Sequence, residues 1–262
     1  MRRLISLALL LLCWSPLSAC KRGSGLVHRT ESLQKSFENC NPGQENCTYV
    51  KLTYPVFTQG PSAEGVAAIN QQIMNFVISP TGDKRSADLD AFLREFFADY
   101  QTFRKEFPQA PQVWTVDRRV DILVEDAKIL SLSMQDDQYL GGAHPNSFHT
   151  LLSLNSVTGA RFALSDLLKP GYEAALNELG EKKFREVRQI PAGQTLEQAG
   201  FNFAGGIFKL NENFAAGAKG LSFVFNAYEI APYVYGPTEL TIDYSDLKAW
   251  LKPEGPLQGL AQ

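Results

Sequence analysis

Two stretches in the first half of the chain carry an apolar residue every three to four positions, which is the spacing of one face of an α-helix. They are residues 62–79 and Asp88–Phe107. We expect Ser86 to cap the second helix and Pro108 to end it. The apolar positions, expected to face a core, are Val66, Ile69, Ile73, Phe76 and Val77 in the first stretch and Leu89, Phe92, Leu93, Phe96, Phe97, Tyr100, Phe103 and Phe107 in the second.

From Trp114 onward the apolar period changes to two, which predicts β-strands. The alternation covers residues 114–124, 130–134 and 148–154, and three consecutive antiparallel strands are the economical arrangement. Arg118 interrupts the apolar side of the first of these strands. His149 lies on the polar side of the third strand, where a half-exposed position is expected.

The second half of the chain mixes the same elements. Its pattern predicts a helix, two or three strands, a long loop rich in tyrosine and proline, a further strand and a terminal helix capped by Ser245. Because helices and strands form separate runs, the expected class is α+β, with antiparallel sheets, helices packed on one face and two closely packed halves. Residues that we expect to face inward in the second half are Leu176, Leu179, Phe184, Val187, Leu240 and Ile242.

The N-terminus has the layout of a secretory signal. Arg2 and Arg3 precede an apolar run, Leu4 to Leu12, which is too short to span a bilayer. The segment 17–20, Leu-Ser-Ala-Cys, resembles the lipobox of bacterial lipoproteins, which implies cleavage after residue 19 and a lipid on Cys20. A plain cleaved secretion signal is the alternative. Lys21 follows the cysteine, and the sorting rule of that family then implies the periplasmic side of the outer membrane.

The cysteine count is consistent with export. Cys13 would leave with the signal peptide and Cys20 would carry lipid, so Cys40 and Cys47 remain. Asn-Pro-Gly between them favours a turn, and an oxidising compartment favours a disulfide. A metal site is the alternative, but two cysteines lack two further ligands nearby. Residues 20–48 are otherwise polar and aperiodic, which predicts a tether, with the fold beginning near Tyr49.

Charge argues against nucleic acid as a partner. The chain has 25 basic and 28 acidic residues, a formal net charge of −3. Removing residues 1–19 takes away two arginines and no acid, so the mature chain carries about −5. No basic patch stands out in the sequence.

The two histidines of "YLGGAHPNSFHT", residues 139–150, raise the question of catalysis. His144 and His149 could hold a metal with Asp136 or Asp137, which would make the protein a metal-dependent cell-wall hydrolase. The spacing suits neither one helix face nor one strand face, and no zinc-protease, serine-hydrolase or phosphate-loop motif occurs. We therefore expect no metal or other cofactor and no catalytic residue, and leave enzymatic activity open.

Binding is better supported than catalysis by the same loop. Its two glycines permit positive φ and close backbone approach, and the neighbouring aromatic rings can stack or donate hydrogen bonds. The proline-stiffened loop around residue 232 offers further tyrosines and a glutamate, whose alternative role is packing on the sheet. The candidate binding residues are Tyr139, Gly141, Gly142, His144, Asn146, Tyr228, Glu229 and Tyr233.

Four segments together resemble a known family. They are "YPVF…AINQQI", "YLGGAHPN", "SLNSVTGARFALSDLL" and "FVFNAYEIAPYVYGPTELTIDYSDLKAWL", within about Tyr49 to Leu251. The combination resembles the paired domains of unknown function in RsiV-type anti-sigma factors and N-terminal to PdaC-type peptidoglycan deacetylases. The resemblance implies an extracytoplasmic α+β module concerned with the cell wall, which in the anti-sigma factors binds lysozyme. Neither a sigma-binding segment nor a deacetylase domain with its metal motifs is recognised, so those activities are not carried over.

The expected organisation is a lipoprotein signal peptide (1–19), a tether with a disulfide (20–48), a PdaC-like half (49–140), an RsiV-like half (141–252) and a tail (253–262). The expected function is that of a lipid-anchored periplasmic binding module of the cell envelope, with peptidoglycan or a wall-active protein such as lysozyme as its ligand. The alternatives are the metal-dependent hydrolase and an envelope scaffold protein.

Overall fold

The computed structural model describes residues 24–81 and 85–261. The predicted signal peptide and the predicted lipid attachment site, Cys20, lie outside these ranges. None of the helices within them has the length and apolar character needed to cross a bilayer.

The strands are β1 (Val27–Ser36), β2 (Tyr49–Gln59), β3 (Trp114–Glu125), β4 (Ile129–Leu140), β5 (Asn146–Asn155), β6 (Phe214–Ala216), β7 (Gly220–Phe225) and β8 (Thr238–Asp243). The α-helices are α1 (Ala63–Val77), α2 (Leu89–Glu106), α3 (Leu164–Leu167), α4 (Glu173–Val187) and α5 (Tyr244–Leu247).

The first sheet contains five strands in the order β1-β2-β3-β4-β5. The predicted meander of β3, β4 and β5 is confirmed as antiparallel. One pair, β2 and β3, is parallel rather than antiparallel, because α1 and α2 lie between them in the chain and return it to the same end of the sheet. Both helices pack against one face of this sheet, and the α+β class is confirmed.

β1 corrects the expected tether. Its residues pair antiparallel with β2, from Val27 opposite Gln59 to Ser36 opposite Tyr49. The chain is held even before this strand, since Ser24 is buried and its hydroxyl donates to the Glu125 carboxylate. β1 lies at the edge of the sheet and most of its side chains are exposed, so it is held mainly by backbone hydrogen bonds to β2. Its sequence therefore has no apolar stripe that would predict a strand.

The turn between β1 and β2 contains the predicted disulfide. Cys40 and Cys47 are bonded, with their Cα atoms 5.5 Å apart. Cys47 is buried, and the Phe37 N–H donates to the carbonyl of Thr48 beside the bridge. The disulfide is therefore confirmed, and it closes a hairpin connection rather than sitting in a free tether.

The first two helices form where predicted, with one change of cap. Ser62 caps α1 by accepting from the Gly65 N–H at 3.0 Å. Asp88, not Ser86, caps α2, by accepting from the Ala91 N–H at 2.7 Å. The Ser86 hydroxyl instead donates to the Glu95 carboxylate.

Not every predicted core position is buried. Phe107 is 55% exposed because it follows the end of α2 and has left the helical backbone. Val187 is the last residue of α4 and is 45% exposed, beside a cleft between the two sheets. The remaining positions of these two stripes are buried or partly buried.

The second sheet has three antiparallel strands in the order β6-β7-β8, against which α4 packs. α5 starts at Tyr244, directly after Asp243, so Ser245 lies inside the helix and is not its cap. The tail is also more ordered than expected, since Leu257 is 1% exposed and belongs to the second core. That core includes Leu167, Leu176, Phe184, Phe208, Phe223, Phe225, Leu240, Ile242, Leu247 and Leu257.

The two halves meet along β5. Its even-numbered residues Leu152 and Leu154 face the helices, whereas Leu151 packs with Ala215 and Val224 of the second sheet. Two asparagines bond to its open edge: Asn226 accepts from the His149 N–H and Asn213 from the Leu151 N–H, both at 2.7 Å. β5 completes the first sheet, so the predicted boundary at 140/141 falls inside the meander.

Arg118 accounts for the imperfect alternation of β3. It lies on the core side and is 1% exposed. Its Nε donates to Asp136 Oδ1 at 3.0 Å, and its Nη1 donates to the carbonyl oxygens of Val77 and Ser79 at 2.8 Å. The guanidinium also lies over the Phe92 ring. The charge is buried because the opposite strand and the end of α1 supply its partners.

Loss of the disulfide is expected to destabilise the fold. Replacing both Cys40 and Cys47 by alanine reopens a short loop, which the chain-entropy model values at roughly 2–3 kcal/mol. Urea denaturation of the oxidised wild-type chain and the double variant measures the difference in the free energy of unfolding. Reducing the wild type should reproduce the shift, and equal midpoints for all three samples would contradict the prediction.

Removing Asp136 is expected to lower the stability far more than removing a partly exposed acid. Asp136→Ala leaves the Arg118 charge buried without its carboxylate, and should lower the free energy of unfolding by about 3–5 kcal/mol. The matched control is Asp117→Ala on β3, whose carboxylate bonds the exposed Lys51 at 2.8 Å and should cost less than about 1 kcal/mol. Similar losses in the two variants, compared by urea denaturation, would refute the asymmetry.

Candidate functional site

Two loops from opposite halves of the chain meet around His144. One joins β4 to β5 and the other joins β7 to β8. The His144 ring is stacked on Tyr233, with ring centroids 3.8 Å apart and an angle of 19° between the planes. Its Nε2 is 3.1 Å from the Tyr228 hydroxyl, and the two tyrosine rings are 5.6 Å apart. We call these three side chains the aromatic cluster.

Hydrogen bonds fix the aromatic cluster from within. His144 Nδ1 is 2.9 Å from the Pro145 carbonyl oxygen, which can only accept, so Nδ1 carries a hydrogen. In a neutral ring Nε2 then accepts from the Tyr228 hydroxyl. The Tyr233 hydroxyl donates to the same Pro145 oxygen at 2.9 Å. The backbone of one loop therefore holds the rings of both loops.

Gly141 allows the first loop to turn back after β4. Its φ is +84°, a left-handed conformation that side chains rarely adopt. A Cβ at this position would also lie 3.3 Å from Trp114 Nε1. Gly142 is exposed and has open space around it, so it has no comparable steric requirement.

The second loop contains a residue with unusual backbone geometry. Tyr228 has a φ of +68°, in the left-handed region that glycine and asparagine adopt far more often than tyrosine does. Glu229 holds this turn, since its carboxylate accepts from the Asn226 N–H at 2.8 Å and from Asn211 Nδ2 at 2.6 Å. Glu229 was a candidate binding residue, but its carboxylate oxygens are engaged within the protein.

Arg188 supports the rest of the second loop and is a residue that the sequence pattern does not single out. Its guanidinium donates to the carbonyl oxygens of Tyr235 and Pro237 at 2.9 and 2.7 Å. Its Nε also bonds the Thr238 hydroxyl at 2.8 Å. An arginine just after α4 gives no local sign of this role, because its acceptors lie about fifty residues later in the chain.

The aromatic cluster is accessible from outside. Tyr228 is 62% exposed and the neighbouring Val234 is 86% exposed. Tyr139 and Asn146 lie on the flanking strands, opposite Thr115 and Gln138. Within the described ranges neither of their side chains has a hydrogen bond to the cluster. The structure therefore brings together His144, Tyr228 and Tyr233 from the predicted set.

The two histidines have different partners, which corrects the hypothesis of a shared metal site. His149 Nε2 is 2.6 Å from the Ser133 hydroxyl, and its Nδ1 is 2.9 Å from Glu239 Oε1. Asp136 points into the core at Arg118, while Asp137 accepts from Gln135 and Ser147. Across residues 24–81 and 85–261, no three histidine, cysteine or acidic side chains are grouped as metal ligands.

The His149 contacts also affect Glu239. The hydrogen bond from His149 lowers the pKa of the Glu239 carboxyl, partial burial opposes this, and the histidine charge adds to the lowering. Glu239 therefore stays ionised over the neutral range. His149 is partly exposed on the polar side of β5, as predicted, and its ring also contacts Glu239 of the second half.

Comparison with known proteins places two family regions on this chain. Residues 42–147 match the model described as "Deacetylase PdaC", and residues 165–245 match DUF3298, a protein family of unknown function. The comparison with curated proteins gives no significant match. The resemblance predicted from the sequence motifs is thus confirmed for both parts of the chain.

Solved structures share the fold. A DUF3298 family member, BF2082 from Bacteroides fragilis NCTC 9343, superposes with a TM-score of 0.73 at 18% identity, covering 92% of this chain and 99% of that one. A DUF3298 family protein, PA4972 from Pseudomonas aeruginosa PAO1, gives 0.66 at 18% identity, covering 87% and 95%. The chain therefore carries a PdaC region followed by a DUF3298 region, a pairing that indicates an extracytoplasmic, cell-wall-related domain.

Proposed function

We propose that the protein is a lipid-anchored periplasmic binding module of the cell envelope, and that its ligand is peptidoglycan or a wall-active protein such as lysozyme. The observation that carries this proposal is the exposed aromatic cluster, in which His144 is stacked on Tyr233 and bonded to Tyr228. The PdaC and DUF3298 regions support the cell-wall setting.

The cluster has the chemistry of a binding surface. Tyrosine combines an apolar ring face with a polar tip, which suits contact with sugar rings or with a protein, and tyrosine is enriched among residues that dominate binding energy. Here the hydroxyls and the imidazole are already bonded to each other or to Pro145. Rings held in place before binding lose less conformational freedom on complex formation, which favours affinity.

The backbone at Tyr228 supports the same interpretation. A left-handed tyrosine costs of the order of 1–3 kcal/mol, and such conformations concentrate at binding and catalytic sites. This conformation places the Tyr228 hydroxyl within 3.1 Å of His144 Nε2 while the side chain stays 62% exposed, so the ring is held at the surface.

Truncation of Tyr233 is expected to weaken binding without unfolding the protein. Tyr233→Ala removes the ring stacked on His144 and should reduce affinity by at least about fivefold, equivalent to ~1 kcal/mol. Tyr233→Phe keeps the stacked ring, loses only the bond to Pro145, and should bind nearly as well as the wild type. Binding of the full-length chain in detergent is measured by co-sedimentation with insoluble peptidoglycan and by retention on immobilised lysozyme.

Ile207→Ser is the control, since Ile207 is 73% exposed on a different loop. It should leave binding unchanged. Failure of both ligands to retain the wild type at low salt would overturn the proposal. Equal losses of binding and melting temperature in Tyr233→Ala would mean that the cluster only packs the loops together.

The lipid anchor is tested separately. Cys20→Ala removes the proposed attachment sulfur, so the protein should move from the membrane fraction to the soluble periplasmic fraction and lose incorporated fatty acid. Cys40→Ala combined with Cys47→Ala serves as the control, because these sulfurs form the disulfide and should not affect lipid labelling. Unchanged labelling in Cys20→Ala would disprove the anchor.

A further inference from the structure

A second polar group lies in a cleft between the two sheets. The Ser133 hydroxyl is 2.6 Å from His149 Nε2, and His149 Nδ1 is 2.9 Å from Glu239 Oε1. The ionised Glu239 carboxylate can only accept, so His149 Nδ1 carries a hydrogen, and when the ring is neutral its Nε2 accepts from the Ser133 hydroxyl. This is the order of nucleophile, general base and orienting acid that activates serine in hydrolases.

The three residues border an open cavity of about 450 Å³. Apolar side chains make up much of its wall, and Lys183 of α4 contributes a permanent positive charge. A serine nucleophile needs such a space, because the substrate carbonyl must approach the hydroxyl on the side away from the base. The apolar wall is formed by Leu123, Leu151, Val187, Phe223, Val224 and Leu240.

The base is held in position by the second half of the chain. The His149 N–H donates to Asn226 Oδ1, and the His149 carbonyl accepts from Asn213 Nδ2 at 2.8 Å and Asn226 Nδ2 at 3.0 Å. The backbone N–H and carbonyl of His149 are both hydrogen-bonded, and so are both nitrogens of its ring. These bonds hold the imidazole in one orientation. Such support for the reacting groups is what a catalytic site requires.

We propose that Ser133, His149 and Glu239 form a catalytic triad that hydrolyses carboxylic esters with a small apolar acyl group. Ser133 Oγ attacks the ester carbonyl carbon and its proton passes to His149 Nε2. The carbon–oxygen bond to the leaving group then breaks, and His149 returns the proton to that oxygen, which releases the alcohol. Water then attacks the acyl carbon and gives a proton to His149 Nε2. The bond from that carbon to Ser133 Oγ breaks, His149 returns the proton to Oγ, and the carboxylic acid leaves.

Esters fit this site better than amides. The N–H groups of His149 and Leu151 already donate to Asn226 and Asn213, so they are not free to stabilise an oxyanion. Lys183 is the lining residue whose positive charge can stabilise the oxyanion, although its ammonium group also donates to Glu186. The alkoxide of an ester is a better leaving group than the amine of an amide and needs less stabilisation of the transition state. A site in which one side chain stabilises the oxyanion therefore suits esters.

The test uses the full-length chain, 4-nitrophenyl acetate as substrate and a fluorophosphonate probe. The wild type should turn over the ester and form one covalent adduct, located on Ser133 by peptide mass spectrometry. Ser133→Ala should lose the adduct and reduce turnover at least 100-fold. Glu239→Gln should lower kcat with little change in KM, because this positioning residue does not contact the substrate.

Ser147→Ala is the matched control, since Ser147 lies on the same strand and side as His149 but bonds to Asp137 and does not line the cavity. It should keep both the adduct and the turnover. Absence of a Ser133 adduct on folded wild-type protein would overturn the triad. Turnover that survives in Ser133→Ala would overturn it as well, because the hydrolysis would then arise from other side chains.

Discussion

The open edge of β5 is the constraint on which the rest of the structure depends. An edge strand presents unpaired N–H and C=O groups, and here Asn213 and Asn226 of the second half bond both backbone groups of His149 and the N–H of Leu151 in place of a neighbouring strand. These bonds set the position of the loop that carries Tyr228 and Tyr233. Without them, neither histidine would meet its partners from the second half.

The elements with strong periodicity could be predicted from the sequence. The helices at residues 63–77 and 89–106, the meander and the side of β5 that carries His149 follow from apolar spacing alone. β1 could not be found this way, because an exposed edge strand needs backbone pairing and not an apolar stripe. Arg118 looked like an irregularity because its partner, Asp136, lies on the next strand.

The candidate sites were predictable only in part. His144 and the tyrosine-rich loop could each be recognised by composition, but the bond between His144 and Tyr228 spans 84 positions of the chain. The contact between His149 and Glu239 spans 90. Contacts between residues so far apart in the chain depend on how the two halves pack. Many weak contacts together determine that packing, so no single sequence motif predicts it.

The early start of the fold would hold the domain close to the membrane if Cys20 carries the proposed lipid. Ser24 is already bonded to Glu125, so only four Cα–Cα steps separate the proposed lipid site at Cys20 from the domain surface, a reach of at most ~14 Å. A lipid-anchored domain with so short a connection stays against the bilayer and cannot extend across the periplasm. Its ligand would have to come to the membrane face.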